Sequence, residues 1–106
     1  MAEEITSFFM KLEERIQPGR LEGINAVFQF NIHGEGGGSW YVILDDGVPS
    51  VTYGQNERPS VTFTANVADW LDIIQGKLNG ASAFLSGRLR IDGDMTLALK
   101  LQGLLG

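Results

Sequence analysis

At 106 residues, 43% hydrophobic and 20% charged, the chain has room for one ordinary core and not for two, so residues 1–106 are expected to form a single domain. It has no cysteine, which removes disulfides, thiolate nucleophiles and cysteine-based metal sites together, and fits a cytoplasmic setting. Net charge is −5, with thirteen acids against eight bases and no basic stripe. That argues against a nucleic-acid binder, because phosphate neutralisation supplies most of that affinity.

The first stretch, "MAEEITSFFMKLEERI", is acidic where a secretory signal would be basic, so export is not expected. Ile5, Phe8, Phe9, Leu12 and Ile16 recur at helical spacing, and Pro18-Gly19 should end the helix. "GINAVFQFNIH" alternates as a strand. Ile24, Ala26, Phe28, Phe30 and Ile32 take one face, and Asn25, Gln29, Asn31 and His33 lie mainly on the other. One buried and one polar face point to an antiparallel sheet covered on one side.

"GEGGGS" should turn into "WYVILDDGVPSVTY", two strands joined across Asp45-Asp46-Gly47, with Pro49 suiting an edge strand. "PSVTFTA" is a fourth strand, with Val61, Phe63 and Ala65 on one side. Asn66 followed by Asp69 resembles a capping box, opening a short helix through Val67, Trp70, Leu71 and Ile74 that Gly76 stops. "GASAFLSG" should make a turn of helix, and "RLRID" a fifth strand.

The tail, "RLRIDGDMTLALKLQGLLG", reads at period two as a hairpin and at period 3.6 as strand, cap and helix. Residues 95–102 are almost all strong helix formers and Asp94 is a good N-cap, so helix is expected. At 100° per residue, Leu97, Ala98, Leu101, Leu104 and Leu105 cover one arc, which Met95 and Leu99 extend. Only Thr96, Lys100 and Gly103 form a polar wedge. A helix resting on a sheet needs a narrower stripe. The surplus should meet another helix, a second chain or a ligand.

Candidate chemistry is sparse. "GEGGGS" precedes a strand and lacks the Lys-Ser/Thr of a phosphate loop, so a hairpin loop is expected. His33 is the only histidine, with no cysteine or second histidine for a metal. Asp92-Gly-Asp94 lacks the other ligands of a calcium loop. No catalytic residues, cofactor or metal are expected. Trp70, Phe84, Met95 and Phe28 or Phe30 could fill a core, as aromatics in small domains usually do, or line an apolar cavity.

The order of elements in residues 60–105, "SVTFTANVADWLDIIQGKLNGASAFLSGRLRIDGDMTLALKLQGLL", resembles the sterol carrier protein-2 (SCP2) family of lipid-binding domains. The run from Gly76 to Leu101 is the specific part, while the first half matches only in pattern. The resemblance implies an α/β (α+β) fold. A five-stranded, mostly antiparallel sheet would carry helices on one face, with a hydrophobic tunnel between them. Carried over, Trp70, Leu71 and Ile74, the turn with Phe84 and Leu85, and Met95, Leu97, Leu99 and Leu101 would border that tunnel, over a floor of Phe28, Phe30 and Ile32. Animal members end in a peroxisomal Ser-Lys-Leu-type signal, whereas this chain stops at Leu104-Leu105-Gly106, so a free-standing prokaryotic member is expected.

The implied function is cytoplasmic lipid binding or transfer: fatty acids, fatty acyl-CoA or similar lipids enter the tunnel, driven by ~25 cal/mol per Å² of apolar surface removed from water. Transient membrane contact would accompany exchange. The last third, with Lys77, Arg88, Arg90 and Lys100 against Asp92 and Asp94, is mildly basic. The alternative is a non-catalytic accessory or scaffold module whose apolar surface meets a protein partner or a second copy. Its motive is an uncovered sheet face carrying either Tyr41 and Ile43 or Trp40 and Val42.

Overall fold

Alternation of apolar and polar residues over "AVFQFNIH" and "GSWYVILD" builds the two central strands, β1 (Ala26–His33) and β2 (Gly38–Asp45), paired antiparallel with Phe30 opposite Trp40. The computed structural model describes residues 2–15 and 22–105, with the side chains of 4–14 and 22–101. The β1–β2 loop closes with Gly37 N donating to Gly34 O at 3.0 Å. A Cβ on Gly37 would sit 2.2 Å from the Ile32 carbonyl oxygen, so only glycine fits that approach. β3 (Val48–Tyr53) follows β2 through Asp46 (φ 51°) and Gly47 (φ 80°), the two left-handed residues of a type I′ turn. Pro49 lies on this strand, which forms one edge of the sheet.

The sheet order is β3-β2-β1-β4-β5, with β4 spanning Val61–Asn66 and β5 spanning Arg90–Gly93. Three of its pairings are antiparallel and one, β1 with β4, is parallel, so the sheet is mostly antiparallel, as expected. To reach β4 from the far edge, the chain must cross β2 and β1. Gln29 guides it: its Nε2 donates to Asn31 Oδ1 and to the carbonyls of Trp40 and Gly54, and its Oε1 accepts from Asn56 N at 2.8 Å. Gln29 is therefore 2% exposed rather than on a solvated face, because this crossing loop covers it. Ser60 completes the crossing by exchanging two hydrogen bonds with the Val27 backbone, at 2.8 and 3.0 Å.

The other face is buried under helices. α1 (Ala2–Met10) and α2 (Leu12–Arg15) replace the single continuous helix expected there. At Lys11 the bonding tightens from a four-residue to a three-residue step, and Glu13 Oε1 accepts from Val51 N at 2.9 Å. This contact ties the second piece to the edge strand and occupies one of its open donors. The expected Pro18-Gly19 stop and Ile16 lie outside the described residues.

Ile5, Phe8, Phe9 and Leu12 are buried on the sheet. The Phe9 ring stacks on Trp40 at 4.5 Å and on Trp70 at 5.9 Å, with Phe30 at 5.1 Å. Trp40 and Val42 thus face the core, leaving Tyr41 and Ile43 half-buried on the other side. Phe30 stacks on Phe63, its partner in the parallel pairing, at 5.1 Å.

α3 (Val67–Ile74) opens as its sequence predicts, with Asn66 Oδ1 accepting from Asp69 N at 2.8 Å. α4 (Gly80–Leu85) is capped by Asn79, whose side chain accepts from Ala81 N and Ser82 N. The tail is strand then helix. β5 begins at Arg90, and Asp94 Oδ1 accepts from Thr96 N and Leu97 N to start α5 (Met95–Leu105). Ala98 and Leu101 are buried against the core and Leu97 packs beside it. The surplus apolar arc stays outside, with Leu99 63% and Met95 39% exposed. The side chains of Leu104 and Leu105, which the expected arc includes, lie outside the described set, as does the exposure of Gly103 in the wedge.

Candidate functional site: an apolar cavity between helices and sheet

α3 ends at Gln75 and Gly76, where Gly76 (φ 78°) provides the left-handed residue of a helix stop and Lys77 N returns to Asp72 O at 2.8 Å. The chain then runs through Leu78 to the Asn79 cap of α4. Of this path, Gly76, Leu78 and Asn79 border the space beneath, with Gly80 at the start of α4. Small and short side chains there leave a gap. Behind it lies a cavity of about 260 Å³.

Its inner walls are Phe30 of β1, Phe63 of β4, Trp70, Ile73 and Ile74 of α3, Leu89 ahead of β5, and Leu101 of α5. Leu89 is held in place because Arg88 N and Leu89 N both donate to Ala83 O, while Arg88 reaches back to Asp69 (2.7 Å) and Asp72 (3.6 Å) on α3. None of the lining residues is charged. Trp70 and Asn79 are its lining residues with a polar side-chain group, and the others are apolar or glycine.

Of the twelve residues carried over by resemblance, Phe30, Trp70, Ile74 and Leu101 line this cavity. Phe28, Ile32 and Leu71 are buried elsewhere in the core, and Leu97 packs against it. Phe84, Leu85, Met95 and Leu99 are 39%, 84%, 39% and 63% exposed and do not line it. Ala83, beside Phe84, is the α4 residue that is buried.

The carried-over set omitted Phe63, Ile73, Leu78 and Leu89, together with the rim formed by Gly76, Asn79 and Gly80. Phe63 had a signal, since it shares a strand face with Val61 and Ala65. Leu89 had a signal too, in the alternation of the "RLRID" expected as a strand, although β5 begins only at Arg90, whereas Leu78 sits in a short connection that no periodicity marks.

Other candidate groups have structural duties. Asp92 pairs with Arg90 at 2.8 Å, Asp94 caps α5, and His33 is exposed at the end of β1 opposite Asn66. Among the described residues no three His, Cys, Asp or Glu side chains gather closely enough to hold a metal ion. Among the described residues, too, no helix is long and apolar enough to cross a membrane.

Comparison with known proteins places the architecture. The sequence model of the SCP-2 sterol transfer family matches residues 8–106. Hydroxysteroid dehydrogenase-like protein 2 of Bos taurus is 32% identical over 98 residues, which is 92% of this chain but 23% of that protein. The chain therefore spans only a fraction of the length of that curated relative. The solution structure of sterol carrier protein domain 2 of Helicoverpa armigera is 32% identical, covering 96% of this chain and 83% of its own, with a TM-score of 0.71. The palmitated SCP2L2 of Aedes aegypti is 28% identical, covering 95% and 89%, with a TM-score of 0.76. With the family model running over nearly the whole sequence, and with a mixed five-stranded sheet roofed by helices, the chain belongs to the SCP-2 sterol transfer family.

Proposed function

We propose that this chain, acting as a single cytoplasmic domain, binds a lipid and carries it between membranes or enzymes. Fatty acids, fatty acyl-CoA and similar long apolar molecules are the expected cargo. The observation that carries this reading is the uncharged cavity between α3, α4, α5 and the sheet, in a member of a sterol transfer family. The similar Aedes protein was solved palmitated, which supports an acyl chain. At about 260 Å³ the cavity falls just below the roughly 300–1,000 Å³ of ordinary ligand sites. A long chain would therefore extend through the rim at Gly76–Gly80 or spread α3 from α5.

In this reading Phe30, Trp70, Ile74 and Leu101 contact the lipid, with Phe28, Ile32, Leu71 and Leu97 holding the walls behind them. Phe84, Leu85, Met95 and Leu99, outside the cavity, would meet a membrane transiently during exchange. Native mass spectrometry of the purified protein, with lipid extraction and fluorescent acyl-chain uptake, tests it. A protein that emerges empty and takes up no acyl probe overturns the reading.

A second reading is a non-catalytic accessory module acting through a protein partner or a homodimer. Leu85 and Leu99, 84% and 63% exposed, favour it, as does a curated relative several times longer than this chain. Sedimentation analysis separates the two: a strictly monomeric, lipid-loaded protein rejects the homodimer.

A further inference from the structure

We propose that the cavity's guest carries a neutral oxygen acceptor inside it, hydrogen-bonded to the indole N–H of Trp70. The inference deepens the lipid reading above and rests on it. Trp70 is 3% exposed and lines the cavity. Its Nε1 is the buried side-chain nitrogen or oxygen without a hydrogen-bond partner among the described residues.

Gln29 gives the contrast. That other buried polar side chain, in the core at 2% exposed, makes four hydrogen bonds. The fold satisfies its amide completely and leaves the indole of a cavity-lining residue unmet. Buried tryptophan N–H groups usually find an acceptor, protein or water, so an orphan on a cavity-lining residue offers a donor to a ligand oxygen that replaces water there. The Phe8 ring packs edge-to-face on Trp70, with centroids 5.8 Å apart. An aromatic face is at best a weak acceptor that an oxygen lone pair displaces.

The indole can only donate, so the ligand atom must accept. No lysine, arginine or histidine lines the cavity, so an ionised carboxylate would be desolvated there without a counter-charge. The fitting groups are therefore uncharged: a protonated acid, an ester or thioester carbonyl, a ketone, or an alcohol. Such a lipid binds with its oxygen inward at Trp70, and its chain runs past Ile73, Ile74 and Leu101.

Three probes of one size test this: octan-2-one, its hydrocarbon isostere 2-methyl-1-octene with CH₂ in place of oxygen, and octanoate at pH 8. The tryptophan indole ¹H–¹⁵N signals and the dissociation constants are read for each. The expected result is a downfield shift of the Trp70 indole proton with the ketone and not with the alkene. Trp70→Phe should weaken the ketone about fivefold or more relative to the alkene, as loss of one neutral hydrogen bond does. Octanoate should bind more weakly at pH 8 than at a pH where it is protonated.

An unmoved indole signal with the ketone bound, or an unchanged ketone-to-alkene ratio in Trp70→Phe, overturns the hydrogen bond and leaves the lipid reading standing. Binding by none of the probes overturns this inference, while lipid extraction and acyl-chain uptake decide the lipid reading separately. If Trp70→Phe does not fold, the indole shift in the unaltered protein decides alone.

Discussion

Gln29 shows how much one side chain can organise. On its strand it occupies a position that alternation gives to solvent, yet it holds Gly54, Asn56 and Trp40 at once and so fixes the path from β3 to β4. Gln29→Leu keeps the volume but leaves the Asn56 N–H and two carbonyls to find water beneath a loop, at about 1–3 kcal/mol for each group left unmet. Urea denaturation should show a loss of about 2 kcal/mol or more. A variant as stable as the parent would mean that the loop re-pairs with solvent at no cost. This burial was illegible in the sequence because strand alternation reports which face a residue takes, not what later crosses that face. The capping residues were legible for the opposite reason. Asn66 and Asp94 act on backbone groups two or three positions away, so the pattern that predicts them is the whole interaction.

Among the elements, α5 is the one whose local signals competed. The tail's alternation suited a hairpin, but the helix formers of residues 95–102 and the Asp94 cap produced a helix, since Asp94 gives α5 two bonds before any packing is needed. The leucine surplus was legible as an over-wide arc. Which leucine would be left over was not, because that depends on how the helix rolls on β4 and β5. Leu101 went inward to the cavity and Leu99 stayed outside.

The split makes a prediction about function. Ile74→Trp, at a half-buried wall position, should fill the cavity and lower acyl-probe binding about tenfold or more, while Leu99→Gln should change it less than twofold. Fluorescent fatty-acid titration of both variants, with circular dichroism to verify folding, checks it. Equal losses in the two would move the site from the inside of α5 to its outer face.

Across the whole molecule, the sheet and its helical roof divide the work. One face of the sheet is crossed by a loop pinned at Gln29 and Ser60, and the other carries an aromatic cluster centred on Phe9. The cluster packs solidly under α1. Under the α3–α4 connection the packing thins to glycine, asparagine and one leucine, and there the cavity opens. A half held by stacked rings thus adjoins one that short connections close. The family resemblance and the succession of strands and helices could be read from the chain, but the order of the strands in the sheet could not. Nor could the position of the cavity, because it follows from where short connections fall relative to the sheet.

The most direct measurement is the set of intermolecular NOEs between ¹³C-labelled protein and bound palmitate. Contacts are expected from the acyl chain to the methyl groups of Ile73, Ile74, Leu89 and Leu101 and to the Phe63 ring, with none to Leu85. Contacts confined to Leu85, Leu99 and the outer surface, with the cavity methyls silent, would contradict binding in the cavity.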